Sequence, residues 1–313
     1  MNTFILEPQE NYQLLDSGEG LKLEKFGKYI TCRPDPNVLW EKKSPLLWEK
    51  ADAIFDPQQK FGSTHWNNKN IKEDWIFEMK ITFLISNLKE EKSEIFEKIK
   101  EKRIKMILRL TPFKHVGLFP EQIKNWQWLA NLLIKKKVTK ESPRVLNLFG
   151  YTAGASLVLA ALGAKVTHVD ASRPTISWAK ENQKASNLEK AQIRWIVDDA
   201  RKFVNREIRR KSYYDAVVMD PPAFGRDPKG KVFKFEKDVL PLLKSLSQIL
   251  SPNPLFFLFN SYSLGYSATV IKNILSSILP LNKIEAGEIQ IQEISGQRNL
   301  PAGVFARFPK IDN

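Results

Sequence analysis

From Arg144 onward, short apolar runs alternate with stretches of helical periodicity. Strands are expected at 144–149, 165–169, 192–197, 214–219 and 255–260, with helices near 154–162, 174–186, 200–209 and 237–250. Antiparallel neighbours need only a turn between them, whereas a strand–helix–strand repeat returns the chain to the same end of the sheet each time. The pattern therefore implies an α/β fold with a parallel, doubly wound sheet. Two later stretches, 285–292 and 303–308, would add an antiparallel pair and bring the sheet to seven strands.

The part before Pro120 reads differently. Asp16–Gly20 is expected as a turn, Leu21–Phe26 alternates with period two, and Tyr29–Thr31 would pair with it as a hairpin. Trp75–Ser86 alternates again, and Lys105–Leu110 returns to strand. Between them, residues 89–103 are rich in Lys and Glu, with Ile95, Phe96 and Ile99 at helical spacing, so an exposed amphipathic helix is expected. A further helix should run from Glu121 to about Lys137. This divides the chain into a small, mostly β N-terminal domain at 1–112, a candidate for substrate recognition, and a larger α/β domain at 113–313.

Ligands of open α/β sheets sit beyond the carboxyl ends of the strands, so the residues just after each strand carry the functional signal. They are Phe149-Gly150-Tyr151-Thr152-Ala153-Gly154, then Asp170-Ala171-Ser172, then Asp198-Asp199-Ala200, then Asp220-Pro221-Pro222-Ala223-Phe224-Gly225. A glycine turn before a helix brings backbone N–H groups to a ligand, and an acid 20 residues after Gly150 stands where ribose hydroxyls would donate. Each signal has a plainer reading. The glycines also suit tight strand–helix packing, Asp170 and Asp199 also suit helix caps, and Asp-Pro-Pro also suits an ordinary loop. Their occurrence in order, one per strand end, favours a ligand site. Neither the G-x-G-x-x-G dinucleotide fingerprint nor a P-loop follows the first strand, which disfavours NAD and ATP.

The runs LNLFGYTAGASLVLAALGAKVTHVDASRPTISWAKEN, VDDARKFV and YDAVVMDPPAFGR resemble the bacterial large-subunit ribosomal RNA methyltransferase family and its close relatives. LLDSGEGLKLEKFGKY, RPDPNVLW and HVGLFPEQ resemble the same relatives. The resemblance implies a Rossmann-like class I methyltransferase domain with S-adenosyl-L-methionine as cofactor. It further implies that Phe149, Gly150, Tyr151 and Thr152 shape the pocket for the methionine part, that Asp170 holds the ribose with Ala171 and Ser172 beside it, and that Asp199 with Ala200 meets the adenine. Phe119 and Gln122, within Gly117–Gln122, would close over the cofactor. The plainer reading of that segment is a connection with Phe119 in the core. Asp220, Pro221, Pro222 and Phe224 would form the catalytic loop, where the methyl group meets its acceptor. Asp220 would orient an amine and Phe224 would stack on an extruded base. The competing reading makes Asp220 a loop residue and Phe224 a core aromatic.

Two departures from the family pattern bear on the acceptor. Amine methyltransferases usually carry the aromatic directly after the two prolines, where this chain has Ala223. Members that methylate cytosine C5 carry a cysteine after the fifth strand, where this chain has Asn260-Ser261-Tyr262-Ser263. Its one cysteine, Cys32, lies elsewhere, so nitrogen is favoured over C5. One cysteine also means no internal disulfide, and three scattered histidines give no metal-ligand spacing. With neither a signal-peptide pattern nor a membrane-length apolar stretch in the sequence, a cytoplasmic location is expected.

The formal net charge is +14. Residues 1–120 carry 20 Lys/Arg against 18 Asp/Glu, and residues 121–313 carry 29 against 17, so the excess lies in the second part. Residues 201–237, including Arg206, Arg209, Arg210, Lys211, Arg226, Lys229, Lys231 and Lys234, hold 11 basic and 5 acidic side chains. The expected partner is RNA, ribosomal in particular, gripped by this surface. The alternatives are a methyltransferase of a small molecule or protein, with incidental charge, and a non-catalytic nucleic-acid-binding protein of the same fold.

Overall fold

The computed structural model describes residues 2–310 except 62–64, 89–94, 136–141, 227–231, 263–264 and 297, and side chains except those at 84–88, 95–98 and 226 as well. The first strand, β1 (Asn2–Leu6), is followed by a five-stranded sheet of β2 (Tyr12–Gly18), β3 (Leu21–Phe26), β4 (Tyr29–Pro34), β5 (Ala53–Phe55) and β6 (Trp66–Asn68), in that order. A short helix, α1 (Pro45–Trp48), lies between β4 and β5. β3 and β4 form the expected hairpin, with Phe26 opposite Tyr29. The turn expected at Asp16–Gly20 is shorter: Asp16–Gly18 belong to β2, and only Glu19 and Gly20 take left-handed backbone, at φ 55° and 76°.

The helix expected over 89–103 is not formed within the described residues. A strand, β8 (Ile95–Leu108), pairs antiparallel along the whole of β7 (Trp75–Leu88), from Trp75 opposite Leu108 to Leu88 opposite Ile95. Residues 89–94 lie outside the described residues. The helical spacing of Ile95, Phe96 and Ile99 is a local preference. It yields to a ribbon that satisfies the backbone across two long strands and buries Ile104, Met106 and Leu108 on one face.

The chain then enters the main layer through a 3-10 turn, Pro120–Gln122, and α2 (Ile123–Lys135). The alternating elements follow: β9 (Arg144–Leu148), α3 (Gly154–Ala161), β10 (Lys165–Asp170), α4 (Arg173–Ala185), β11 (Ile193–Val197), α5 (Ala200–Arg209) and β12 (Ala216–Met219). A small hairpin, β13 (Phe224–Arg226) with β14 (Val232–Lys234), precedes α6 (Phe235–Ser247). The chain continues with β15 (Phe256–Ser261), α7 (Ala268–Leu275), β16 (Glu285–Gln292) and β17 (Asn299–Phe308). The hairpin and α7 are not anticipated by the sequence pattern.

The large sheet runs β1-β16-β17-β15-β12-β9-β10-β11. Strands β15, β12, β9, β10 and β11 are parallel, and β17 is antiparallel to both β15 and β16. These are the seven expected strands. The eighth, β1, comes from the first residues and pairs parallel with β16, so residues 2–6 belong to this sheet rather than to the small β module. Both faces are covered, which is why the strands read as apolar runs rather than alternating ones. Val145, Val166 and Val218 pack with α2 and α3 on one side, and Leu146, Val217 and Phe257 pack with α5 and α6 on the other. Strand order reverses at β9, which has β12 on one flank and β10 on the other, so a crevice opens beyond its carboxyl end.

The β module is fixed to the large sheet by a buried polar clasp. Leu14 bridges Glu293, and the amides of Ile294 and Ser295 donate to the carbonyls of Leu14 (3.0 Å) and Leu15 (3.1 Å). Arg298 donates to Glu293 Oε2 at 2.7 Å and to Asp16 Oδ1 at 3.1 Å. Asp16 also accepts from the indole of Trp48 at 2.8 Å and the hydroxyl of Ser295 at 2.8 Å.

Candidate active site

The turn after β9 concentrates backbone strain. Phe149, Tyr151 and Ala153 all take left-handed φ, at 55°, 50° and 78°. Side chains avoid this region at a cost of about 1–2 kcal/mol each, and such outliers collect where a loop must shape a site. Gly150 is not one of them. Its requirement is spatial, since a Cβ there would overlap the His168 imidazole. A Cβ on Gly154 would overlap the Trp126 ring in the same way. Gly150 thus lets the turn close against β10 and Gly154 lets α3 close against α2, and both also line the cavity described below.

The loop is held from below. Asp170, at the end of β10, accepts the Tyr151 amide on Oδ2 (3.0 Å) and the Ser172 amide on Oδ1 (2.9 Å). Burial pushes its carboxyl up despite these two bonds. Thr152 Oγ1 donates to the Gly117 carbonyl at 2.6 Å, and Asn182 Nδ2 donates to the Thr152 carbonyl at 2.9 Å. Ser172 is the N-cap of α4, where its hydroxyl accepts from the Thr175 amide at 3.3 Å.

Asp199 is the N-cap of α5 and accepts from the Lys202 amide (3.1 Å) and from Arg201 at 3.2 and 2.7 Å. Burial pushes its carboxyl up, but Arg201 and the Lys202 amide outweigh that and hold it below the usual carboxylate range. The next acid back, Asp198, is ion-paired with Arg206.

Asp220 lies just after β12. Burial alone pushes its carboxyl up to about 7. Pro221 is buried and Pro222 exposed, and the chain then enters the β13–β14 hairpin. Phe224 at the start of that hairpin is 52% exposed, which removes the core-aromatic reading.

These loops enclose one cavity of about 650 Å3. Each residue singled out from the sequence lines it: Phe119, Gln122, Phe149, Gly150, Tyr151, Thr152, Asp170, Ala171, Ser172, Asp199, Ala200, Asp220, Pro221, Pro222 and Phe224. Lys114, His115, Asn147, Phe233 and Tyr262 also line it, and the sequence reading gave them no site role. His115 and Asn147 lie within the runs HVGLFPEQ and LNLFGYTAGAS and Tyr262 just after β15, but nothing local marked their roles, and Lys114 and Phe233 lie outside those runs. Phe119 is half-buried and forms an aromatic wall with Tyr151 (centroids 5.6 Å apart), Tyr262 (5.8 Å) and His115 (5.0 Å).

Past Phe119 and Tyr262 a small cleft runs to the β module, lined by Lys22, Arg33, Lys114 and Glu121. Glu24 beneath it is buried and accepts from Tyr12 Oη (2.9 Å) and Arg33 Nε (2.8 Å). Burial pushes the Glu121 carboxyl up to about 7. Burial, with Arg33, Lys114 and Lys22 nearby, pushes His115 down to about 3, so its imidazole is neutral near pH 7.

A doubly wound sheet whose first turn, second-strand acid and Asp-Pro-Pro loop share one cavity presents a small-molecule site at the place where open α/β sheets hold their ligands. Comparison with known proteins names the class. The family model for S-adenosylmethionine-dependent methyltransferases matches residues 84–270, and the chain belongs to that family. A S-adenosylmethionine-dependent methyltransferase from Agrobacterium tumefaciens superposes with a TM-score of 0.83 at 36% identity, covering 99% of this chain and 93% of its own. SMU.776, solved with SAH, shares the fold at 18% identity, with a TM-score of 0.65 over 96% of this chain and 76% of its own. "Ribosomal RNA large subunit methyltransferase K/L" of Shewanella sp. (strain ANA-3) is 33% identical over 172 residues, which is 50% of this chain and 23% of that protein. The chain thus spans about a quarter of the length of the curated relatives it matches.

Proposed function

We propose that this protein transfers a methyl group to a base nitrogen of RNA, ribosomal RNA in particular, in the cytoplasm. The family's cofactor, S-adenosylmethionine, supplies a methyl group on an electron-poor sulfonium. The cavity volume lies in the range of cofactor sites, and Asp170 keeps acceptor capacity toward it for ribose hydroxyls, its two known partners being backbone amides. The Phe149–Thr152 turn flanks the methionine part, with Phe119 and Gln122 covering it. Ala171 and Ser172 border the ribose, and Ala200 with Asp199 borders the adenine. Arg201 already occupies much of Asp199, so the adenine amino group would share that carboxylate.

The observation that carries the reading is the Asp220 carboxyl in this cavity, with Phe224 exposed a few residues on. An ionised Asp220 accepts the N–H of an exocyclic amine and aims its lone pair at the methyl group. Pro221 and Pro222 fix the turn without needing donors. Alignment of this kind is worth up to roughly 7–11 kcal/mol in a displacement reaction. Phe224 offers a face for the base. Nitrogen is favoured over cytosine C5 because Cys32 sits buried in the β module and does not line the cavity, and burial pushes its thiol up to about 12.

RNA as acceptor is supported by the names of the ribosomal RNA methyltransferase relatives and by the net charge. The basic surface needs narrowing. Arg201, Arg206 and Arg210 are ion-paired with Asp199, Asp198 and Glu207, whereas Arg209, Lys211, Lys234 and Lys237 are exposed and better placed for phosphate. Arg226's side chain, Lys229 and Lys231 lie outside the described residues. The test is methyl incorporation from labelled cofactor into deproteinised ribosomal RNA, followed by mass mapping of the modified nucleotide. Incorporation into a C5 carbon, or none into RNA, would refute the assignment.

A further inference from the structure

Three cations meet where the β module borders the cavity, and two of them are matched by carboxylates. Arg33 lies 2.6 Å from Glu24, and Lys22 lies 3.2 Å from Asp35. Lys114 has no carboxylate within ion-pair distance among the described residues, and its Nζ donates only to the Pro34 carbonyl at 3.3 Å. It is half-buried and lines both the cavity and the cleft. A partly desolvated ammonium beside two further cations is an unfavourable arrangement that an incoming anion relieves.

Its neighbour Phe113 is 72% exposed. Hydrogen bonds hold the loop that carries both residues. Trp66 Nε1 donates to the Thr111 carbonyl at 2.8 Å, and Thr111 Oγ1 lies within donating distance of the His115 carbonyl (2.8 Å) and the Phe113 carbonyl (2.9 Å) while accepting from the Phe113 amide (3.1 Å). Arg33 Nη1 donates to the Lys114 carbonyl at 3.2 Å. A rigid loop bearing an exposed ring next to an unmatched ammonium suits a nucleotide: the ring for a base face, the ammonium for a phosphate.

We propose that Lys114 pairs with an RNA backbone phosphate beside the acceptor nucleotide, while Phe113 stacks on a neighbouring base. Resting on the RNA reading above, this places substrate entry on the β-module side of the cavity, and adds a contact to those of the 201–237 surface. Both are positioning residues.

The experiment compares Lys114→Gln, Lys114→Arg and Phe113→Ala with the wild type in methylation of deproteinised large-subunit ribosomal RNA across a salt series. SAH binding is measured by calorimetry without RNA. Lys114→Gln should raise KM for RNA about tenfold, the range of one charge-assisted contact, with kcat little changed. The slope of log affinity against log salt should fall by about 0.7. Lys114→Arg should restore both, and Phe113→Ala should raise KM about tenfold without moving the slope. SAH affinity should be unchanged throughout. Wild-type KM and slope in Lys114→Gln would overturn the proposal while leaving the RNA reading standing. Loss of SAH affinity in Lys114→Gln would also overturn it, by assigning the ammonium to the cofactor's carboxylate. A wild type that methylates no RNA overturns both.

Discussion

Replacing Asp220 by Asn keeps a hydrogen-bond acceptor just after β12 but removes the ionisable group. In the folded protein this carboxyl titrates near 7 against an ordinary 3.8, because burial disfavours its charge. That difference of about 3 units corresponds to about 4 kcal/mol, taken as an upper bound. The pH dependence follows from proton binding. Between about pH 4 and pH 7 the unfolded chain has released this proton and the folded chain has not, so this group's contribution to stability falls as pH rises, by up to about 1.4 kcal/mol per unit. The contribution is fully present below pH 4 and fully lost above 7. Asp220→Asn carries no such loss. Its stability should match the wild type near pH 4 and exceed it by up to about 4 kcal/mol above about pH 7.5. Turnover should change in a related way. Wild-type single-turnover methylation should rise through pH 7 as the carboxylate forms, and the Asn variant, whose acceptor oxygen does not titrate, should show no inflection there. Asp220→Ala removes the acceptor and should lose about 10²–10³ in rate with cofactor affinity within a few fold. Urea titrations at several pH values and rapid-quench methylation at saturating cofactor read both quantities. An inflection near 7 retained by Asp220→Asn, or a stability difference that does not grow with pH, would refute the reasoning.

Asp170→Ala should weaken cofactor binding by about tenfold or more, since it removes a charged acceptor and strands the Tyr151 and Ser172 amides; calorimetry with SAH measures it. Gly150→Ala forces a methyl group into the buried His168 ring and should cost about 1–3 kcal/mol in a denaturant titration, with cofactor affinity falling as the turn shifts. Arg298→Ala leaves Glu293 and Asp16 as buried carboxylates without their cation and should destabilise the protein by about 3–5 kcal/mol. Cys32→Ser should remain active, because the thiol is buried in the module away from the cavity.

The sequence was readable where burial was two-sided and local. VVM and FFLF are apolar throughout, and VLNL is apolar but for the buried Asn147, because helices cover both faces of the sheet, so β9, β12 and β15 appeared as runs that no helix period explains. The strand-end acids were readable too, but their position did not separate capping from ligand binding, and Asp199 turns out to cap α5 and bind Arg201. Residues 95–103 misled because Lys and Glu suit an exposed helix as well as an exposed ribbon, and only the long-range pairing to β7 decides. Lys22 and Arg33 border the active-site cleft because a separate sheet carries them there, which no spacing along the chain encodes.

The parallel pairing of β1 with β16 bears on how the protein can be divided. A 113–313 fragment would retain every other strand of the large sheet yet lose Asn2–Leu6. The open backbone groups of Glu285–Gln292 would then face solvent along a strand whose Ile289 and Ile291 are buried in the whole protein. Such an unprotected edge recruits another strand, most readily one from a second copy of the fragment. Self-association is the expected fate of the isolated half, and an added segment carrying the NTFIL sequence is the expected remedy.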